Sequence, residues 1–209
     1  DSFDIQPKDS PINFNLFSLT SSFKFIGQDV TVTSDKKKIA AADKLILPGV
    51  GAFSDAAKAL HETGMYDVII EEARKGKPLL GICLGMQMLL TKSYEYGEHA
   101  GLNLIPGNVK PIAPVIEKGL KVPHIGWNAL KFPENKPKSK LYKYVEPGEH
   151  VYFVHSYYGA DCTECVSAYA EYGAELTASV ELGNVYGTQF HPEKSGKTGL
   201  NILKAFCEL

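Results

Sequence analysis

The stretch Pro78-Leu79-Leu80-Gly81-Ile82-Cys83-Leu84-Gly85-Met86-Gln87 constrains this chain more than any other. It reads as a buried apolar strand, a sharp turn with a cysteine at its apex between two glycines, and then a helix. This is the layout of a nucleophile elbow, Gly-x-Nuc-x-Gly, with a thiol in the nucleophile slot. The glycines allow the tight bend and leave room around the sulfur. The helix that follows is expected from Leu84 to about Lys92. Its free N–H groups and the positive end of its dipole favour thiolate over thiol.

Around the elbow, strand and helix patterns alternate. Leu16, Leu19, Phe23 and Ile26 recur at three- and four-residue steps, predicting a helix over 15–27 with Gly27 in its C′ position. Val30 to Thr33 is a short alternating strand, and the apolar run Lys44-Leu45-Ile46-Leu47 stops at Pro48-Gly49-Val50-Gly51. Residues 52–62 and 65–74 are helical by composition. Such alternation implies an α/β fold with a mostly parallel sheet and helices on both faces. Residues 93–150 carry seven prolines and predict short strands and loops. Strands follow at 151–157, 166–172, 176–182 and 184–190, an antiparallel extension of the sheet, with Gly183-Asn184 as a hairpin turn. An amphipathic helix closes the chain over 199–209. No repeat or linker divides the sequence, so 1–209 reads as one domain. Its first fourteen residues are atypical: Asp1 to Ile12 includes Pro7 and Pro11 and reads against an ordinary central strand.

Composition narrows the function. A chain of 209 residues can bury a sizeable α/β core. A net charge of −2 gives no electrostatic footprint for nucleic acid. No apolar run approaches the roughly 18 residues that would span a bilayer, and no signal peptide is recognisable. The four cysteines are too few and scattered for a disulfide scaffold, which points to a reducing cytoplasm. Cys162-x-x-Cys165 reads as a loop edge entering a strand rather than a zinc or redox motif. No His/Cys/Asp/Glu cluster has metal-ligand spacing, and Gly49-Val50-Gly51 is not G-x-G-x-x-G, so neither metal nor cofactor is expected.

A second segment, Gln189-Phe190-His191-Pro192-Glu193-Lys194, supplies partners for the thiol. Cys83 is the candidate nucleophile. His191 is the candidate base, and later the acid for the leaving group, with activity expected to follow a base titrating near neutral pH. Glu193 would orient the imidazole. The 108 residues between Cys83 and His191 are no obstacle, because such groups assemble in space. Leu84 N–H directly follows the nucleophile and is the first candidate oxyanion donor. Val50 N–H, in the glycine turn, is the second. His124 and His155 sit in apolar contexts and suit hydrogen-bonded structural roles as well as catalytic ones. His61, His99 and His150 lie in polar surroundings and are expected to be solvated.

The segments Leu45 to Phe53, Gly81 to Gln87 and Gln189 to Gly196 resemble class I (triad) glutamine amidotransferases. Lys121 to Asn128 and Tyr152 to Tyr158 are most similar to the glutaminase subunits of imidazole glycerol phosphate synthases. The resemblance covers about residues 15 to 209. It implies the three-layer fold of that class, a Cys83–His191–Glu193 triad and hydrolysis of L-glutamine through a cysteinyl thioester. It implies that Gly51, Gln87, Ser156 and Tyr157 hold the substrate. It also implies a heterodimer with a (β/α)₈-barrel cyclase subunit that receives the ammonia, with Asn15, Pro123, Trp127 and Tyr152 toward that partner. Phe17 stands where a charged residue is usual. The alternatives are another class I amidotransferase subunit, a γ-glutamyl hydrolase, or a catalytically silent partner-binding subunit.

Overall fold

The computed structural model describes residues 2–4 and 13–209, with side chains from Leu16 onward. The first half runs β1 (Ser2–Asp4), α1 (Asn13–Phe25), β2 (Val30–Val32), α2 (Lys36–Ala41), β3 (Lys44–Gly49), α3 (Phe53–Glu62), α4 (Met65–Arg74), β4 (Leu79–Cys83), α5 (Leu84–Leu89). The second half runs β5 (Lys92–Ser93), β6 (His99–Ala100), β7 (Asn108–Pro111), β8 (His124–Ala129), β9 (His150–His155), β10 (Tyr157–Ala160), β11 (Val166–Glu171), β12 (Glu175–Leu182), β13 (Val185–Thr188), α6 (Gly196–Cys207).

Seven strands form the central sheet in the order β11-β12-β13-β4-β3-β1-β2. From β2 to β13 every pairing is parallel, and β12 and β11 extend it antiparallel. The expected parallel sheet with an antiparallel extension is therefore observed, except that the strand expected at 151–157 lies outside it: His150–His155 pairs with β8 and Tyr157–Ala160 with β7. The β12–β13 turn falls at Gly183-Asn184, where Leu182 pairs with Val185. A four-stranded sheet (β10-β7-β5-β6) and the β8–β9 hairpin lie apart from the central sheet.

One expectation fails at the N-terminus. Ser2–Asp4 is an internal strand, paired with β2 on one side and β3 on the other. The paired stretch is three residues long, and neither proline falls in it, so it loses no ladder donor. Pro7 and Pro11 lie outside the described residues.

Side-chain alternation divides the core into two layers. Leu45, Leu47 and Leu79 pack with Ile39, Phe53, Met65 and Ile69 from α2, α3 and α4. Ile46, Leu80 and Ile82 face the other way, onto Leu19 and Phe23 of α1 and Ile202 and Phe206 of α6. Burial on both faces explains why β3 and β4 read as unbroken apolar runs. α1 ends as the sequence predicts. Gly27 takes φ 77°, its N–H reaches Lys24 C=O at 3.0 Å, and Gln28 N–H reaches Phe23 C=O at 2.9 Å. This is a Schellman closure.

α5 ends at Leu89, three residues short of expectation, and Lys92–Ser93 pair as a strand. Its last carbonyls are taken from outside: Leu102 N–H donates to Met88 C=O, and Leu104 and Ile105 N–H both donate to Leu89 C=O. A distant segment thus satisfies the groups that another helical turn would have used.

Candidate active site

Three adjacent parallel strands end side by side and deliver the chemistry. Gly49 of β3 lies opposite Cys83 of β4, so Val50 and Gly51 follow beside the sulfur. Thr188 of β13 lies opposite Ile82, so Gln189 and His191 arrive from the other flank. The carboxyl ends of parallel strands are where open α/β sheets bind ligands. Cys83 itself is held at φ 54° and ψ −111°, a costly conformation for a residue with a Cβ. The elbow depends on Gly85, where a Cβ would stand 1.7 Å from Leu47 C=O. No side chain fits between the turn and β3.

His191 follows β13 and is tied to β9 by its N–H, which donates to Tyr152 C=O at 3.0 Å. Ser195 clamps the same junction: its hydroxyl donates to His191 C=O at 2.6 Å and accepts from Tyr152 N–H at 3.0 Å. A 3₁₀ turn opened by Pro192 brings Glu193 back onto the imidazole, with Nδ1 and Oε1 2.7 Å apart. Both side chains are 3% exposed. Glu193 Oε2 is buried with no partner among the described residues. Burial alone would lower the His191 pKa, but hydrogen bonds to Cys83 and Glu193, and their charges, raise it to about 10. The raised pKa favours a protonated imidazole beside the sulfur. Cys83 Sγ also lies 4.0 Å from Val154 C=O and 3.8 Å from Gln189 Nε2.

A pocket of about 340 Å³ opens over Cys83. Val50, Gly51, Leu84, Gln87, Ser156, Tyr157 and His191 line it, as does Pro123. The structure therefore brings together the residues named from sequence for nucleophile, oxyanion donors and substrate. Glu193 stands behind His191. Trp127 and Tyr152 pair across the β8–β9 hairpin, with ring centroids 5.9 Å apart. Asn15 lies in the first turn of α1, which packs on the Pro192–Lys194 turn.

Sequence reasoning gives no role to three lining residues, Glu95, Val154 and Lys194, and leaves His155, which also lines the pocket, open between structural and catalytic roles. Glu95 Oε2 accepts the first N–H of α3, from Phe53, at 2.5 Å, which fixes a carboxylate in the wall. No local spacing announces it. Gln189 lies within the quoted motif but was given no role. It is fully buried and touches both Cys83 and Gln87.

His124 and His155 form a buried pair, Nδ1 to Nε2 at 2.9 Å, consistent with hydrogen-bonded structural histidines. His155 Nδ1 donates to Tyr157 C=O at 2.8 Å, and His124 Nε2 meets Asn128 Oδ1 at 2.7 Å. Burial lowers the His155 pKa to about 4, against the hydrogen bond to Tyr157, and nearby His124 and His191 lower it further. Burial also lowers His124, against its bond to Asn128. His99 departs from the solvated reading. It is half-buried, its Nε2 has no partner among the described residues, and it tilts against Phe53. Cys162 and Cys165 bracket a 3₁₀ turn leading into β11 as buried free thiols, and burial pushes Cys162 up to about 11. Among the described residues, no group of three or more His, Cys, Asp and Glu side chains is placed to hold a metal ion. No helix there is long and apolar enough to cross a membrane.

The family model for class I glutamine amidotransferases matches residues 12–208. The chain belongs to the class I glutamine amidotransferase family. Among its relatives in this family, "Imidazole glycerol phosphate synthase subunit HisH" of Caldanaerobacter subterraneus is 47% identical over 196 residues, 93% of each chain. The protein of the same name from Methanothermobacter thermautotrophicus is also 47% identical, over 93% of each chain. Solved class I glutamine amidotransferase structures share the fold. One titled as a glutamine amidotransferase superposes with a TM-score of 0.73 at 20% identity, covering 99% of this chain and 97% of the other. PurLQS from Thermotoga maritima gives 0.70 at 19%, with the same coverage.

Proposed function

We propose that the Cys83 pocket hydrolyses the side-chain amide of L-glutamine and that the ammonia passes to a cyclase subunit. The chain is the glutaminase subunit of an imidazole glycerol phosphate synthase. This reading is supported by relatives so named at 45–47% identity over most of both lengths. One observation carries the chemistry: an elbow sulfur shares a pocket with a buried imidazole that Glu193 holds and whose proton Cys83 and Glu193 together favour.

The Cys83 thiolate attacks the amide carbon, and the carbonyl oxygen becomes an oxyanion beside Leu84 N–H and the Val50 turn. His191 gives its proton to the leaving nitrogen, and ammonia departs as the C–N bond breaks. The γ-glutamyl thioester remains. Neutral His191 then takes a proton from water, the hydroxide attacks the thioester carbon, and glutamate leaves as the C–S bond breaks and the thiolate reforms. Gln87, Gly51 and the Ser156-Tyr157 backbone hold the amino-acid end of the substrate. Glu95 provides a counter-charge for its ammonium group.

The partner is a (β/α)₈-barrel cyclase subunit, and the pair is a cytoplasmic heterodimer. Its docking surface is the outward face of the β8–β9 hairpin, where Ile125 is 58% and Trp127 53% exposed and Tyr152 packs beside Trp127. Pro123 and Val154 carry that face to the pocket mouth, and Asn15 in α1 is the further partner residue that the resemblance implies.

The test is glutamate release from glutamine by the chain alone, and then with the cyclase subunit and its nucleotide ligand. Strong activation by the complete system is expected. Cys83→Ala should lower the coupled rate by about 10⁴-fold while leaving partner binding intact. Undiminished turnover by Cys83→Ala removes Cys83 from the mechanism. Activity indifferent to the cyclase subunit argues for a free-standing hydrolase.

A further inference from the structure

We propose that Gln189 is a second stabiliser of the Cys83 thiolate and, through the same amide, the residue that orients Gln87 toward substrate. The inference rests on the reading of Cys83 as nucleophile. It assigns work to a side chain that the triad leaves unused.

Gln189 is fully buried, and a buried primary amide is costly unless its donors and acceptor are matched. Its Nε2 donates to Cys83 Sγ at 3.8 Å, and its Oε1 accepts from Gln87 Nε2 at 3.0 Å. Gln87 Nε2 also donates to Tyr157 C=O at 3.2 Å. These orientations follow from one another. Tyr157 C=O can accept but never donate, so Gln87 must turn its nitrogen that way. Gln189 must then show Gln87 its oxygen, which leaves its nitrogen for the sulfur. A flip at either amide sets donor against donor or acceptor against acceptor. Tyr157 C=O is itself pinned from the other side by His155 Nδ1, at 2.8 Å.

Two consequences follow for the chemistry. An N–H aimed at sulfur is worth most when the sulfur is an anion, so the contact favours thiolate over thiol. His191 supplies a charge that comes and goes with its proton, whereas Gln189 supplies a neutral donor that stays on the sulfur throughout, both when the thiolate attacks and when it leaves the thioester carbon. For substrate, both protons of Gln87 Nε2 are engaged by Tyr157 and Gln189. Its Oε1, which has no partner among the described residues, is thereby directed to accept from a donor in the pocket, as an α-ammonium group would require. The backbone holds the arrangement in place, because Gln189 N–H donates to Ala178 C=O at 2.8 Å.

The experiment is the pH dependence of Cys83 carboxamidomethylation by iodoacetamide in the full chain, mapped by mass spectrometry. Wild type is compared with Gln189→Met, which keeps the bulk and removes the amide. The midpoint is expected to rise by about one pH unit in the variant. In the complex with the cyclase subunit, KM for glutamine should rise several-fold beside a fall in kcat. Gln189→Glu keeps the shape and adds negative charge, and it should raise the midpoint further. In the wild-type chain, the Gln189 side-chain amide resonances should titrate with the same midpoint as alkylation, a readout that needs no variant to fold. Unmoved alkylation midpoints in the variants, or an amide resonance indifferent to the thiol titration, overturn the proposal for Gln189 alone. Glutaminase activity surviving in Cys83→Ala would instead overturn the site reading beneath it.

Discussion

The carboxyl ends of β3, β4 and β13 and the β8–β9 hairpin border the same pocket but are finished differently. At the strand ends, Cys83, Gln189 and His191 are buried, and each has partners fixed by backbone register. The hairpin is two-sided. Inward, His124, Phe153 and His155 stack and hydrogen-bond. Outward, Ile125 and Trp127 stand in solvent on regular strand backbone. Reacting groups need positions set to fractions of an ångström, which only dense packing gives. A docking face needs apolar area that the chain itself leaves uncovered. His155 joins the two regions, since it belongs to the hairpin yet lines the pocket.

The comparison breaks most severely at Gly85. Its Cβ would enter Leu47 C=O, so Gly85→Ala must push the elbow away from β3. The expected cost is about 3 kcal/mol or more, with loss of glutaminase activity. Urea unfolding of the chain measures it. A variant with wild-type stability would show that the strand ends are less tightly determined than their register implies.

The next effect sits where the regions join. His155 titrates at about 4 in the folded chain against about 6.5 for an ordinary imidazole. Above 6.5 neither state binds this proton. Between 6.5 and 4 the unfolded chain binds it and the folded chain does not, so stability falls as pH falls, by about 3 kcal/mol in all. His191 has the opposite sign: its raised pKa contributes stability below 6.5 that is lost as pH rises through about 10. Unfolding free energies at pH 7, 5.5 and 4 for wild type and His155→Asn separate the terms, because the variant should lose the slope between 6.5 and 4. Equal slopes would mean that His155 is not held neutral by burial.

On the outward side, Trp127→Glu should leave stability and Cys83 alkylation unchanged while weakening the cyclase subunit by about 2 kcal/mol, some thirtyfold. Binding titration and partner-activated turnover check it together. A change in the isolated chain's alkylation rate would mean that the hairpin's two faces are mechanically coupled without the partner.

How much of this was legible in the sequence follows from which contacts are local. The runs at Leu45–Leu47 and Leu79–Ile82, the Gly27 cap and the Gly183-Asn184 turn are written in consecutive residues, and all appear. α2 carries no apolar periodicity to read, because it buries one residue, Ile39, although Asp35 caps it by accepting from Lys37 N–H at 2.9 Å. β1 lacks any apolar pattern and is placed by its neighbours' backbones. The early end of α5 depends on residues 102–105. In the site, Cys83, His191 and Glu193 sit in motifs. Glu95 and the inward turn of Gln189 emerge only when distant strands pair.

The smallest expected effect isolates backbone conformation from crowding. Gly27 takes φ 77°, yet nothing lies within 4 Å of where its Cβ would be, the reverse of Gly85. Gly27→Ala should therefore cost about 1 kcal/mol, from the left-handed conformation alone. α1 packs on the Pro192–Lys194 turn that presents Glu193, so the variant tests whether loosening of the helix end reaches the triad. If packing dominates at the strand ends, as their burial argues, the thermal midpoint should fall by a few degrees while the glutaminase rate at 25 °C stays unchanged. A rate that falls with stability would show that the triad borrows its rigidity from α1, and that the strand ends do not determine their own geometry.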